Sequence, residues 1–508
     1  MARPAALAVA AALLGASAAC VYSPKGVCDT AVDCAAGEQC NAGVCVAPAG
    51  TGGDGAVDPA SFTTVLWSSL AGRTGVTFAV DAVGADLAGN VVVAGSVDAS
   101  YDFSPDLVGT GAFVLKRASA GGAPVWAVSF PTLVAPGSTG APLRGRVEAA
   151  VLPGGDVLFA GAAFDPTTIG TYAFTPPAAG ALVFGRLDSA GSPLWARAVA
   201  NTDPAAFLTP AAVAVTGSGD LLVAGTGSGN FGCVSGATTG HTFTAALSGA
   251  DGTCRWSVGF TTRSLSDVEA RDSGEVAIAG VCAPSTAFFD PGGGTTCTKG
   301  LYVAVLAGAN GATVWARTTS GAGSVPAVND VAVAPDGSVT VIGDGIGVVD
   351  FGSGAVSFGS AAASFAATFG PTGTPLGVLR PVEAPYAADP DAVSFARCAY
   401  DRSGQLWLAG AYVGAPTLGG VRFSACRASA GCVAAAYLAT LDTSGRTRSF
   451  LPLRAEPDAA AGAFVDDFAL FATTNTVAHA LRFTGVAPVG GATWTSAGGD
   501  LGTLRIVP

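Results

Sequence analysis

Apolar residues in this chain come in short consecutive runs, each opened by a polar Gly turn and closed by a small-residue pair. The copies read GNVVVAG (89–95), GDVLFAG (155–161), GDLLVAG (219–225), GEVAIAG (274–280), GSVTVIG (337–343) and GQLWLAG (404–410). A decayed seventh, TNTVAHA, occupies 474–480. Runs of this length bounded by turn signals predict buried β-strands rather than helices. Their apolar positions are consecutive, not alternating, as expected when neighbouring sheets cover both faces. The spacing of about 63 residues predicts a repeat architecture, one supersecondary unit per period.

Each period carries further elements in fixed order. After the Gly-closed strand comes a loop holding Asp and Phe: Tyr101-Asp102-Phe103, Phe164-Asp165, Asn230-Phe231-Gly232, Phe289-Asp290 and Asp350-Phe351-Gly352. A third strand follows, beginning at Ala112, Ala181, Thr242, Leu301, Ser364 and Ala436. It runs into a Gly turn and then Gly-x-x-x-Trp, with Trp126, Trp195, Trp256 and Trp315 following Gly122, Gly191, Gly252 and Gly311. Gly377 and Ser449 replace the Trp in the next two units. Runs such as VEAAVLP and NDVAVAP, before the Gly-phrases, complete four strands per unit.

The last unit ends at GTLRIVP (502–508), a third strand with no fourth after it. The missing strand stands at the front as TTVLWSSL (63–70), whose Trp67 precedes Trp126 by the same 59 residues that separate Trp256 from Trp315. An N-terminal strand that completes the last sheet removes the open edge of a ring. The expected fold is therefore all-β: a seven-bladed β-propeller of four-stranded blades over residues 61–508, closed by its N-terminal strand. A membrane β-barrel would alternate lipid-facing and lumen-facing residues over longer strands, and these runs do not.

The first sixty residues read differently. Arg3, an apolar stretch from Ala5 to Ala19 and the small residues Ser17-Ala18-Ala19 form a signal peptide over 1–19. Cys20 follows directly, so the segment resembles a bacterial lipoprotein signal in which that Cys becomes the lipidated N-terminus. Ser17 stands where such signals usually carry Leu, and ordinary cleavage after Ala19 fits the same small residues. Residues 20–46 carry Cys28, Cys34, Cys40 and Cys45 with almost no apolar residues between them. Two disulfides are the expected framework; a zinc site would want a CxxC pair or a nearby His. The segment resembles the small Cys-rich motif found after the anchor in surface proteins of myxobacteria. Residues 47–60, rich in Gly, Ala and Pro, read as a flexible tether.

Export makes disulfides an expectation for the other cysteines too. Cys282 with Cys297, and Cys426 with Cys432, flank inter-strand connections and suit loop staples. Cys233, Cys254 and Cys398 remain, with at least one unpaired if Cys20 is lipidated.

The net charge of −12 argues against nucleic acid and against electrostatic docking on anionic lipid. The two histidines, His241 and His479, have no nucleophile and carboxylate placed beside them, and no phosphate loop, metal-binding His pair or nucleophile elbow occurs. One constellation remains. Aligned on the turn Gly, one position of each first strand reads Ala82, Glu148, Ala212, Asp267, Asp330, Arg397 and Asp467. Equivalent positions converge on a propeller's axis, so these four carboxylates and one Arg are candidates for a ring binding a cation such as calcium, a sugar or a basic peptide. The competing reading has them hydrogen-bond turns or adjacent blades.

The recurrence of Gly-polar-apolar-Ala-Gly, Asp-Phe-Gly, apolar strand and Gly-x-x-x-Trp resembles the bacterial SBBP-type β-propeller repeat proteins. That family mostly lacks an assigned activity, and many members are exported. Gly-x-x-x-Trp also resembles quinoprotein-type repeats, which usually form eight blades. The resemblance and the scarcity of catalytic groups together imply a monomeric cell-surface or outer-membrane binding or scaffold module for a protein or glycan, needing no cofactor. A secreted or periplasmic location is the alternative placement. The alternative function is a propeller enzyme, either a quinoprotein-like oxidoreductase or a carbohydrate-active one.

Overall fold

The computed structural model describes residues 39–41 and 44–46 and, between 65 and 506, all but 73, 104–106, 134–146, 202–207, 234–241, 261–263, 272, 283–299, 382–391, 424–434, 454–463, 473–476 and 490–491. The signal, Cys20 and the tether thus lie outside the described residues. So do His241, Cys297, Cys426 and Cys432. Of the Cys-rich segment, Gln39–Asn41 and Val44–Val46 form a hairpin in which positions 40 and 45 face each other in register.

Seven four-stranded antiparallel sheets make up the rest. Blade 1 consists of Phe78–Ala85, Val91–Val97, Gly111–Arg117 and Pro124–Phe130, paired in that order. Five more blades repeat the order, with first strands Val147–Val151, Thr209–Val215, Ser264–Ala270, Ser324–Val333 and Ala392–Tyr400. Each first strand lies against the first strands of the blades before and after it, and Phe464–Ala472 of blade 7 lies against Phe78–Ala85. The ring is closed.

Closure occurs as the sequence predicts. Val65–Ala71 is the fourth strand of blade 7, pairing with Ala492–Ile506 from Val65↔Ile506 to Ala71↔Leu501. Blade 7 also differs from the others in length. Its second and third strands, Val477–Val489 and Ala492–Ile506, extend as one long hairpin whose Val489 carbonyl accepts the Ser68 hydroxyl at 3.3 Å.

The consecutive apolar runs are buried throughout: Val91–Val97, Val157–Ala163, Val276–Cys282 and Gly300–Leu306 have no exposed residue. Hydrophobic clusters join neighbouring blades; one joins Ala277 and Val303 of blade 4 to Val331 and Phe365 of blade 5. The Asp-Phe loops plug the sheets they leave. Phe103 packs on Phe113, Phe231 on Phe243, Phe351 on Phe365 and Phe423 on Tyr437, with ring centroids 4.8–5.4 Å apart.

The Gly-x-x-x-Trp motif joins one blade to the next. The indole N–H of Trp67, Trp126, Trp195, Trp256 and Trp315 donates to the carbonyl of Ser119, Ser189, Gly249, Gly308 and Pro371 respectively, each in the following blade. The rings lie on Gly122, Gly191, Gly252, Gly311 and Gly373, where a Cβ would come within 2.4–2.9 Å of indole carbons. All five glycines have positive φ, so two separate constraints demand Gly there.

The two rims of the propeller differ. On one, the turns joining first to second strands and third to fourth strands are short and uniform, and the indole cradles sit there. From the other start the connections between second and third strands, which are longer and vary from blade to blade: residues 98–110, 164–180, 227–241, 283–299, 347–362 and 414–434. Where described, they fold back over the outer strand: Tyr172 donates to the Leu194 carbonyl, Cys233 joins Cys254, and the Gly419 carbonyl accepts the Thr447 N–H.

Candidate functional site

A β-bulge near the start or middle of most first strands sets the geometry around the axis. Pairing shifts between Val80 and Ala82, Pro210 and Ala212, Leu265 and Asp267, Val328 and Asp330, and Phe395 and Arg397. The residue after each shift pairs with the residue just before the closing Gly of the repeated phrase, as in Asp267↔Ala279 and Asp330↔Ile342. In blade 7 the shift comes one step earlier, between Asp466 and Phe468. Asp467 is therefore the bulge residue itself and not the counterpart of Asp267.

The structure brings two of the aligned acids together. Asp330 is buried and accepts the Cys398 N–H of blade 6 at 2.7 Å. Asp267 accepts the Val331 N–H of blade 5 at 2.9 Å, and its carboxyl hydrogen-bonds Asp330. Each carboxyl thus bridges to the next blade, the competing reading from the sequence. Asp81, a bulge residue outside the aligned set, bridges blades 1 and 2 in the same way by accepting the Val147 N–H at 3.1 Å. Glu148 is buried in blade 2. Arg397 is half-buried, and its guanidinium donates to the Ala396 carbonyl at 3.0 Å.

Burial, and then the charge and hydrogen bond of Asp330, hold Asp267 well above the usual carboxylate range. Glu269 lies two residues on, along the same face of the strand. Partial desolvation and the nearby charge of Asp330 push its carboxyl up, although the residue is exposed. Solvent still reaches the side chain, so screening weakens both effects. Cys398 is free and buried, and burial plus the three acids raises its thiol well above the ordinary value.

This cluster has definite chemical limits. Among the described residues no group of three His, Cys, Asp or Glu is arranged to hold a metal ion. Two hydrogen-bonded carboxyls also stand closer than the ~5–5.5 Å of a retaining glycosidase pair or the ~6.5–9.5 Å of an inverting one. The cluster suits proton retention better than hydrolysis.

The remaining titratable groups serve packing. Lys116 and Asp86 form a buried ion pair at 3.1 Å, and Lys116 reaches the Ser189 carbonyl of blade 2. Arg186 and Arg505 occupy the same third-strand position and reach Gly249 and Ser119 of the following blades. His479 stands where other blades carry Val, Phe, Ile or Leu, fully buried, and burial pushes its imidazole down to about 3. Cys233 and Cys254 form a disulfide with Cα atoms 5.2 Å apart, tying a long-rim loop to the fourth strand of blade 3. Cys282 is disulfide-bonded as well. A shallow depression of about 410 Å³, lined by Ser403, Gln405, Asp442 and Arg448, lies at the short-turn rim of blade 6.

No family model matches the chain, and neither does any curated protein. Solved structures do. BamB from Moraxella catarrhalis is 14% identical over 87% of this chain and 97% of its own, with a TM-score of 0.37. The RRP9 WD40 repeats are 8% identical over 88% and 99%, at 0.45. A catalytically inactive virginiamycin B lyase from Staphylococcus aureus, determined with quinupristin, is 10% identical over 86% and 99%, at 0.41. At such values the likeness says nothing about what this chain binds.

Proposed function

We propose that the chain is an exported, lipid-anchored surface propeller that works as a binding or scaffold module for a protein or glycan partner. The observation that supports this most is the contrast between the rims. One rim is uniform and its motif residues are occupied in joining blades. The other sends out loops that vary in length and composition and fold back over the outer edge of a rigid ring, the kind of segment that carries recognition. Export and anchoring rest on residues 1–20, and the tether at 47–60 would hold the ring clear of the membrane. The Cys-rich segment and the outer-membrane placement belong to the same reading.

Residues 58–508, immobilised and exposed to the producing organism's envelope extract, are expected to retain one protein or glycan in stoichiometric amount. Shortening the 164–180 and 414–434 loops should abolish retention while leaving the melting transition in place. Retention that survives both deletions counts against the long-loop rim. No retention at all turns attention to the enzyme alternative and to glycan and quinone substrate screens. Anchoring has its own check: the lipid mass and detergent partitioning of the full chain should vanish in Cys20→Ala.

A further inference from the structure

Of the three bridging carboxyls, only Asp267 and Asp330 touch each other. A hydrogen bond between two carboxyl groups requires a proton between them, because two carboxylates offer acceptors only. The series of contacts running from Val331 through Asp267 and Asp330 to Cys398 therefore contains one link that exists only while the pair holds a proton. Those contacts span blades 4, 5 and 6. At the bridge between blades 1 and 2 the Asp81 carboxyl accepts the Val147 backbone N–H.

The charged groups facing the pair come from three first strands. Glu269 lies on the strand of Asp267, Asp330 comes from blade 5, and Cys398 and Arg397 come from blade 6. Arg397 is a cation beside the set, and its guanidinium donates to the Ala396 carbonyl. Deprotonation would leave two adjacent negative charges with Glu269 as a third. Repulsion would fall on the junction of blades 5 and 6, where blade 5 carries Gly377 in place of the indole that five other blades insert into the next.

We infer that the proton shared by Asp267 and Asp330 is a latch holding blades 4, 5 and 6 together at the axis, and that its loss in alkaline solution loosens this sector around Cys398. The direction of the titration agrees. Burial and the charge and hydrogen bond of Asp330 raise Asp267, so the native state holds a proton that the unfolded chain has already released. Stability then falls as pH rises from the unfolded carboxylate range, about 4, through the raised native value.

Asp330→Asn separates the latch from ordinary packing. The amide oxygen can still accept the Cys398 N–H, while its nitrogen donates to an ionised Asp267, so the pair closes without a shared proton. Alkylation of Cys398 by iodoacetamide in the full-length protein, mapped by peptide mass spectrometry between about pH 6.5 and 9.5, reads the opening. Urea-unfolded protein at each pH corrects for thiolate formation.

The corrected protection of Cys398 should drop about tenfold or more across this range in the wild type and in Asp81→Asn, and stay within about twofold in Asp330→Asn. Constant protection in the wild type, or an equal drop in Asp330→Asn, overturns the latch. Should Asp330→Asn not fold, Asp267→Asn supplies the same amide–carboxylate pair from the other side. The wild-type melting midpoint is a second reading: a midpoint that does not fall across the range also overturns the proposal.

Discussion

Five of the seven blade junctions hold an indole in a glycine cradle, and two do not. The five run from blade 7 to blade 1 and on to blade 5. At each, one Trp buries its ring on the next blade's turn glycine and gives its N–H to that turn's carbonyl. Four of these carbonyls also accept a cationic side chain, from Arg505, Lys116, Arg186 or Arg271. Between blades 5 and 6 the direction reverses. Tyr400 of blade 6 reaches back to Thr340 of blade 5, which bonds Thr368, at 2.7 and 2.8 Å. Gly445, the cradle glycine of blade 6, is half-buried where its five counterparts are buried.

The blade 6–7 junction lacks the motif for a topological reason. The fourth strand of blade 7 comes from the chain's N-terminus, so blade 7 has no turn between third and fourth strands and no cradle to offer. A Trp at position 449 would have nothing to dock on, and Ser449 stands there. Trp407 and Trp494, the two tryptophans outside the motif, instead lie in the hydrophobic cluster between blades 6 and 7. Closing a ring with the N-terminal strand seals one edge and forfeits one dock; the long hairpin of blade 7 fills the space.

The contrast can be tested at both kinds of junction. Removing residues 65–71 deletes both the closing strand and the Trp67 dock, and should abolish a cooperative melt and cause aggregation, seen by calorimetry and light scattering. Next in size, Trp195→Ala should cost about 3–5 kcal/mol in denaturant unfolding, the usual range for a buried aromatic. Ser449→Ala, at the matching position of an undocked junction, should stay within about 0.5 kcal/mol.

Acid provides a probe of blade 7. His479 is pushed down to about 3, so its neutral form is retained in the fold while the unfolded chain protonates near 6.5. Its contribution is complete above that unfolded value and is lost as pH falls toward 3, by about 1 kcal/mol per pH unit. His479→Val should flatten that slope in melts recorded between about pH 7 and 4. The smallest effect expected is a gain. Gly377→Trp supplies the missing indole opposite Gly445 and should raise stability by about 1 kcal/mol; a lower melting temperature would show that Tyr400 already fills the slot.

Strand content, blade number and the closing strand were all legible in the chain, because each rests on a local rule. Consecutive apolar runs mean a sheet covered on both faces, positive-φ turns demand Gly, and a ring with an N-terminal Trp strand and no last strand has one way to close. The Phe of the loops was legible as a recurrence, but its packing on a third-strand ring in blades 1, 3, 5 and 6 is a tertiary result.

The axial acids divide along the same line. Their alignment in sequence followed from the repeat, yet alignment says nothing of which neighbour a side chain meets. Only the folded ring sets Asp267 against Asp330, gives their outer oxygens to Val331 and Cys398, and leaves Arg397 on a carbonyl. The bulge that moves Asp467 one step out of line is a register event, decided by pairing and not by spacing. The disulfide between Cys233 and Cys254 likewise needed the distance between a loop and an edge strand.

The sequence by itself determined the repeat, its β character and the order in which the ring closes, since these follow from nearest neighbours along the chain. Tertiary structure alone decided which acids share a proton and which junctions hold an indole, because those depend on contacts between blades about sixty residues apart.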